Sequence, residues 1–133
     1  MGQLTAFNLY PTTTMSNTLL DPQAIESLRA ISPDDSGEFL HELIDIYLTD
    51  TPQRITEIEQ SLATENAAEL TRAAHSIKGS SSNFGATELA AIACEIEHKG
   101  KASAFAEAQA RLPTLKEAFN RVRPALLELK TGG

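Results

Sequence analysis

Apolar residues recur at intervals of three and four from Asp21 onward, and no segment shows the period-two alternation of a strand. This spacing predicts an all-α protein. The apolar stripes fall into four long segments, which predict an up-and-down antiparallel four-helix bundle with a short N-terminal helix capping one end. We expect the bundle over residues 21–130, with residues 1–20 as a loose tail of native or artificial origin and residues 131–133 as a C-terminal tail.

Several residues mark the expected helix ends. Asp21 followed by Pro22 is typical of an N-cap and a first helical turn, and Asn66 is expected to cap the third helix. Gly100 is expected to stop the fourth helix as a C-terminal glycine. Pro52 lies inside the second apolar stripe, which resumes after it, so it predicts a kink and not an end.

The last predicted helix carries a long apolar stripe whose steps alternate between three and four. A coiled-coil seam between two chains and a stripe facing the bundle core both fit this spacing. Pro113 and Pro124 favour the core, so we expect a monomer. The stripe consists of Phe105, Ala108, Leu112, Leu115, Phe119, Val122, Leu126 and Leu129.

Composition excludes several classes of protein. With 18 acidic and 11 basic side chains the 133-residue chain has a net charge of −7, which argues against nucleic acid as a partner. No apolar run approaches the roughly 20 residues that span a bilayer, so no membrane association is expected. The single Cys94 excludes an internal disulfide and a Cys-rich zinc site, and favours a reducing cytoplasm.

His75 is the most informative residue of the third predicted helix. It lies opposite the apolar stripe that contains Ile77, and is therefore expected in solvent. No acidic residue occurs between Leu70 and Thr87, although the chain as a whole is acidic. The neighbours of His75 on this face are small or basic: Ala68, Thr71, Arg72, Lys78, Gly79 and Ser82.

Gly79 needs a specific explanation. A glycine inside a helix costs about 1 kcal/mol relative to alanine. Close approach by the surface of another molecule would account for it, so this face is predicted to be a binding surface.

His75, Lys78 and Gly79, followed by a Ser-rich turn that ends at Gly85, resemble the signature of the histidine-containing phosphotransfer (HPt) domains of bacterial phosphorelays. The resemblance covers essentially residues 21–130, because the helix plan agrees as well. It implies that His75 accepts a phosphoryl group on Nε2 from a receiver-domain aspartyl phosphate, or from a kinase, and passes it to a response-regulator receiver.

The resemblance also implies roles for neighbouring residues. Lys78 would meet the phosphoryl oxygens as a point charge, and Gly79 would leave room for the receiver. In the family, a polar residue of the following helix orients the imidazole through Nδ1, and Glu97 occupies the matching position in this chain. The remaining candidate docking residues are Ala68, Thr71, Arg72, Ser82 and Gly85.

The implied partners are response-regulator receiver domains and a sensor histidine kinase, including the hybrid type. Mg²⁺ is expected in the acidic pocket of the receiver, and no cofactor or metal in this chain. The sequence contains no Gly-rich phosphate-binding loop with its lysine. We therefore expect a phosphocarrier and not an enzyme.

Glu97 and the run from Arg72 to Gly79 are also similar to the phosphotransfer domain of chemotaxis-type histidine kinases. A kinase module does not fit within 133 residues. The sequence is therefore compatible with a free-standing protein and with a domain cut from a larger kinase.

Two other classes fit parts of the sequence. Glu38 with His41, and Glu95 with His98, have the Glu-x-x-His spacing of di-iron bundles, although both histidines fall opposite the apolar stripes of their helices. A helical interaction module without chemistry would explain Gly79, but it would leave His75 without a role.

Overall fold

The computed structural model describes residues 19–32, 34 and 37–132, which form five helices and, within those ranges, no strand. The predicted all-α class is confirmed. The helices are α1 (Pro22–Ile31), α2 (Glu38–Thr64), α3 (Ala67–Asn83), α4 (Thr87–Lys101) and α5 (Phe105–Gly132). Helix α5 continues past the boundary expected at residue 130, while residues 1–18 of the predicted tail lie outside the described residues.

Helices α2 to α5 form the predicted up-and-down bundle. Each packs against two others, α2 against α3 and α5, and α4 against α3 and α5, while the short α1 lies on α2 and α3 as the cap. Short connections make consecutive helices antiparallel. The interface between α3 and α4 is the most extensive, and it is the interface that builds the candidate site.

The expected helix starts are present. The Asp21 side chain accepts a hydrogen bond from Gln23 N at 3.0 Å, and Asn66 accepts one from Glu69 N at 3.1 Å. Each bond satisfies a backbone donor that has no partner within its own helix. Pro52 lies inside α2, which continues to Thr64, as the resumed apolar stripe predicted.

The prediction for Gly100 is wrong. Helix α4 continues to Lys101, and Gly100 is buried inside it against α3. A Cβ atom at this position would lie 2.7 Å from Thr71 Oγ1 and 3.2 Å from Leu70 Cγ. Gly100 therefore allows two helices to approach closely, a reason that spacing along one helix does not reveal.

Gly85 anchors the cap to the bundle. It has a φ of +69°, which favours glycine, and its carbonyl accepts a hydrogen bond from Asp21 N at 2.9 Å. An added Cβ atom would lie 2.4 Å from Asp21 Cβ. The start of α1 is thereby held against the turn between α3 and α4.

The apolar stripe of α5 faces the core, as the prolines predicted. Ala108, Leu112, Leu115, Phe119, Val122 and Leu126 are buried, and Phe105 and Leu129 pack against them. The polar flanks of α5 form ion pairs with α2 and α4, among them Lys116–Glu59 and Arg111–Glu95. No helix in the described part of the chain is long and apolar enough to span a bilayer.

Candidate functional site

Helix α3 presents His75 on its outer face. The side chain is 65% exposed, whereas Ala74 and Ile77 beside it are fully buried in the core. The helical period produces this division, because Ala74 and Ile77 lie three residues apart on the core face, and His75 lies almost opposite Ile77 around the helix axis. The imidazole is therefore accessible to a second macromolecule.

Glu97 of α4 lies directly beside the imidazole. His75 Nδ1 donates a hydrogen bond to Glu97 Oε2 at 2.9 Å, and the glutamate side chain is only 5% exposed. A carboxylate can only accept, so the bond places the ring proton on Nδ1 and leaves the Nε2 lone pair of the neutral ring for chemistry.

Two lysines complete the surroundings of Glu97. Lys78 Nζ lies 2.8 Å from Oε1, and Lys101 Nζ lies 3.6 Å from Oε2. Burial by itself would raise the pKa of Glu97, but the contact with the Lys78 ammonium group and the hydrogen bond from His75 outweigh it and lower the pKa to about 2. The hydrogen bond to Glu97 in turn raises the pKa of Lys78. The carboxylate therefore remains charged at neutral pH.

The position of Lys78 differs from the expectation that it points at a phosphoryl group. In this structure its ammonium group is bound to Glu97, one helix away. Sequence reasoning did not find Lys101. The sequence could have predicted this contact, because Lys101 lies four residues after Glu97 on the same helix. A glutamate followed by a lysine at this spacing favours an ion pair.

The surface around His75 contains most of the predicted docking residues. Ala68, Arg72 and Ser82 are exposed, and Thr71 is half-buried, its hydroxyl donating to Ala67 O at 2.7 Å. Beside the imidazole lies an open depression of about 460 Å³, lined by Ala68, Thr71 and Arg72 of α3 and by Glu97 and Lys101 of α4. Gly85 is not at this surface, because it is buried against Asp21.

Gly79 is exposed one helical turn beyond His75. Among the described residues, outside its own helical turns, no heavy atom lies within 4 Å of the position that its Cβ would occupy. Nothing inside the described molecule thus requires a glycine here.

The Ser-rich segment after Gly79 serves the fold. Ser81 is buried, and its hydroxyl is 2.7 Å from the Tyr47 hydroxyl of α2. Ser80 and Ser82 donate to carbonyls of the preceding turn, Ser76 O at 3.0 Å and Lys78 O at 2.8 Å. These hydroxyls satisfy backbone and core partners and leave the surface near His75 uncrowded.

The structure does not support the di-iron interpretation. Glu38, Glu95 and His98 are exposed, His41 is only half-buried, and Glu95 is bound to Arg111 of α5. Within the described residues, no group of three or more potential metal ligands comes together. The side chains of a di-iron site would have to project into the bundle.

Comparison with known proteins agrees with this geometry. The family model of the Hpt domain matches residues 42–125. The crystal structure of histidine-containing phosphotransfer protein B (HptB) from Pseudomonas aeruginosa PAO1 is similar, with a TM-score of 0.78 and 28% sequence identity over 86% of this chain and 96% of that chain. Comparison with curated protein sequences gave no significant match.

Proposed function

This chain belongs to the Hpt domain family and is a histidine phosphotransfer protein of phosphorelays, and we propose that His75 is the residue that carries the phosphoryl group. The observation that supports this role most directly is the hydrogen bond from the exposed imidazole to the buried Glu97 carboxylate at 2.9 Å. It orients the ring and leaves Nε2 as the nucleophile. A purely structural interaction module would have no use for this arrangement.

In the proposed reaction, the Nε2 lone pair attacks the phosphorus of an aspartyl phosphate on the donor. The N–P bond forms as the O–P bond breaks, and the aspartate leaves as a carboxylate. The ring keeps its Nδ1 proton and becomes positively charged, and Glu97 stabilises that charge. The reverse steps deliver the phosphoryl group to a second aspartate. Such a transfer requires mainly positioning and neutralisation of charge.

We propose that Lys78 contributes that neutralisation. It lies on α3 one turn after His75 and is a point charge at the edge of the site. Gly79 allows the partner to approach, and Ala68, Thr71, Arg72 and Ser82 contact it. The basic character of this surface suits the acidic pocket of a receiver domain, where we expect Mg²⁺ to be bound.

Hpt proteins pass phosphoryl groups between kinases and response regulators, as carriers and not as kinases. For this chain we propose receiver domains, including that of a hybrid sensor kinase, as the direct partners, and the cytoplasm as the location. We also propose a monomer, because the α5 stripe that would form a dimer seam is occupied by the core. Light scattering would test the monomer.

The experiment for His75 uses receiver domains labelled at their aspartate with radioactive acetyl phosphate and Mg²⁺. We expect at least one of these receiver domains to transfer label to the wild-type protein, in an acid-labile and base-stable form. The His75→Gln variant should acquire no label. His98→Gln is the matched control, because His98 is an exposed histidine on α4 outside the site. Label on the His75→Gln variant would refute the assignment.

A further inference from the structure

The Glu97 carboxylate has more partners than the phosphotransfer chemistry described above uses. His75 Nδ1 and Lys78 Nζ are at hydrogen-bond distance, 2.9 Å and 2.8 Å. Lys101 Nζ stands 3.6 Å from Oε2, slightly beyond that distance. Two of these three groups have a stated function, and Lys101 has none.

The Glu97 carboxylate and a phosphoryl group on His75 would compete for the ammonium group of Lys78. In this structure its ammonium group is bound to Glu97 Oε1, whereas the phosphoryl group would be attached to Nε2, on the side of the ring away from Glu97. A phosphoryl group brings about two negative charges to the helix surface. An ammonium group that turns toward these charges weakens its contact with Glu97 Oε1.

Loss of that contact is unfavourable unless another cation replaces Lys78. Glu97 is 5% exposed, and a buried carboxylate that loses a partner is costly. The positive ring of phosphorylated His75 supplies one partner on Oε2. The carboxylate as a whole still loses the positive charge of one lysine.

Lys101 is placed to provide that charge. It lies one helical turn after Glu97 on the same helix, its side chain is 61% exposed, and a shift of less than one ångström would bring its ammonium group to hydrogen-bond distance of Oε2. An exposed lysine can make this movement without displacing core residues. We propose that Lys101 is a positioning residue that takes over the Glu97 carboxylate when Lys78 turns to the phosphoryl group; this inference rests on the proposed function of His75.

An alternative role for Lys101 is long-range attraction of an acidic receiver. The two roles have different kinetic signatures. Attraction would alter the receiver concentration that gives half the maximal transfer rate, and would depend on salt. Release of Lys78 takes place within the complex and would alter the maximal rate.

The test compares Lys101→Met with Lys99→Met in transfer from the phosphorylated receiver that labels wild type fastest. Lys99 is a matched control, because it lies in the same last turn of α4 and pairs with Glu107 at 2.6 Å. We expect Lys101→Met to lower the maximal rate about two- to fivefold, the range of an exposed ion pair, with the half-saturating concentration unchanged. Lys99→Met should match wild type, and Lys101→Arg should restore the rate.

A double variant separates this role from a merely structural one. When Lys78 is replaced by alanine there is nothing to release, so adding Lys101→Met should produce no further loss. The inference is overturned if the losses multiply, if only the half-saturating concentration changes, or if Lys101→Met equals wild type. Failure of the wild-type protein to acquire label would overturn the proposed function as well, whereas normal labelling with any of those three results overturns this inference alone.

Discussion

At the scale of single residues, Glu97 is the group on which the other side chains of the site depend. It joins His75 and Lys78 of α3 to Lys101 of α4 through one carboxylate. Although burial favours the neutral acid, the contacts with Lys78 and His75 keep this carboxylate ionised, and it fixes the tautomer of the imidazole. The exposed histidine is thus oriented by a residue whose own side chain is almost fully buried.

The first prediction at this scale concerns Lys78→Ala. We expect transfer to slow roughly tenfold or more, since a cation that meets charge developing on the phosphoryl oxygens is removed. The helical circular dichroism spectrum should be unchanged, because Lys78 is half-buried at the edge of the site and does not belong to the hydrophobic core. Lys116→Ala is the control, since Lys116 pairs with Glu59 of α2, in the α2–α5 interface and not in the site. Equal rates for the two variants would contradict the proposed role of Lys78.

At the scale of elements, α3 and α4 each contain an interior glycine, for opposite reasons. Gly79 of α3 is exposed and free of close neighbours among the described residues, whereas Gly100 of α4 is buried against Leu70 and Thr71. The same substitution should therefore have opposite effects on stability at the two positions.

Gly79→Ala should raise the free energy of unfolding by up to about 1 kcal/mol, because alanine is the better helix former and its methyl group meets no obstacle. Gly79→Gln should retain part of this gain but slow transfer, since its longer side chain occupies the docking surface. Urea denaturation and transfer rates measure the two effects. A loss of stability in Gly79→Ala would show an internal role for this glycine.

Gly100→Ala should lower the stability in spite of its better helix propensity. The new methyl group would lie 2.7 Å from Thr71 Oγ1 and 3.3 Å from Thr71 N, so α4 must move away from α3. Overpacking of this kind costs about 1–3 kcal/mol. Urea denaturation beside Gly79→Ala gives the comparison, and a stability equal to or above wild type would refute the close-approach explanation.

At the scale of the whole molecule, the site depends on the bundle. His75 and Glu97 come from antiparallel neighbours with the most extensive interface, and Gly85 holds the cap on the turn that joins them. Helix α5 packs into the bundle through its buried apolar stripe, and its exposed ion pairs with α2 and α4 lie at the flanks of that stripe. Glu97 is buried in the α3–α4 interface and also orients His75, so its charge should affect both the stability of the fold and the geometry of the site.

This coupling predicts an acid-dependent contribution to stability. The pKa of Glu97 is about 2 in the folded protein and ordinarily 4.5, so its stabilising contribution is complete above pH 4.5 and is lost as the pH falls toward 2. The difference in unfolding free energy between wild type and Glu97→Gln should shrink over this range. Urea denaturation at a series of pH values measures it. A difference that is constant with pH would contradict the depressed pKa.

Much of the fold and part of the site could be predicted from the sequence. Helical periodicity is a local property, so the all-α class, the caps at Asp21 and Asn66 and the core stripe of α5 follow from neighbouring residues. The exposure of His75 opposite Ile77 follows in the same way. The match of Glu97 to an orienting position came from family resemblance and not from spacing.

Only the tertiary structure decided which residues from different helices meet. It shows that Lys78 and Lys101 both lie beside the Glu97 carboxylate. It also shows that Gly85 is in close contact with Asp21, and Gly100 with α3. Periodicity determines the direction of a side chain around its own helix axis. The distance between side chains on two helices depends also on how far those helices are shifted and how closely they approach, which the packing of the whole core sets.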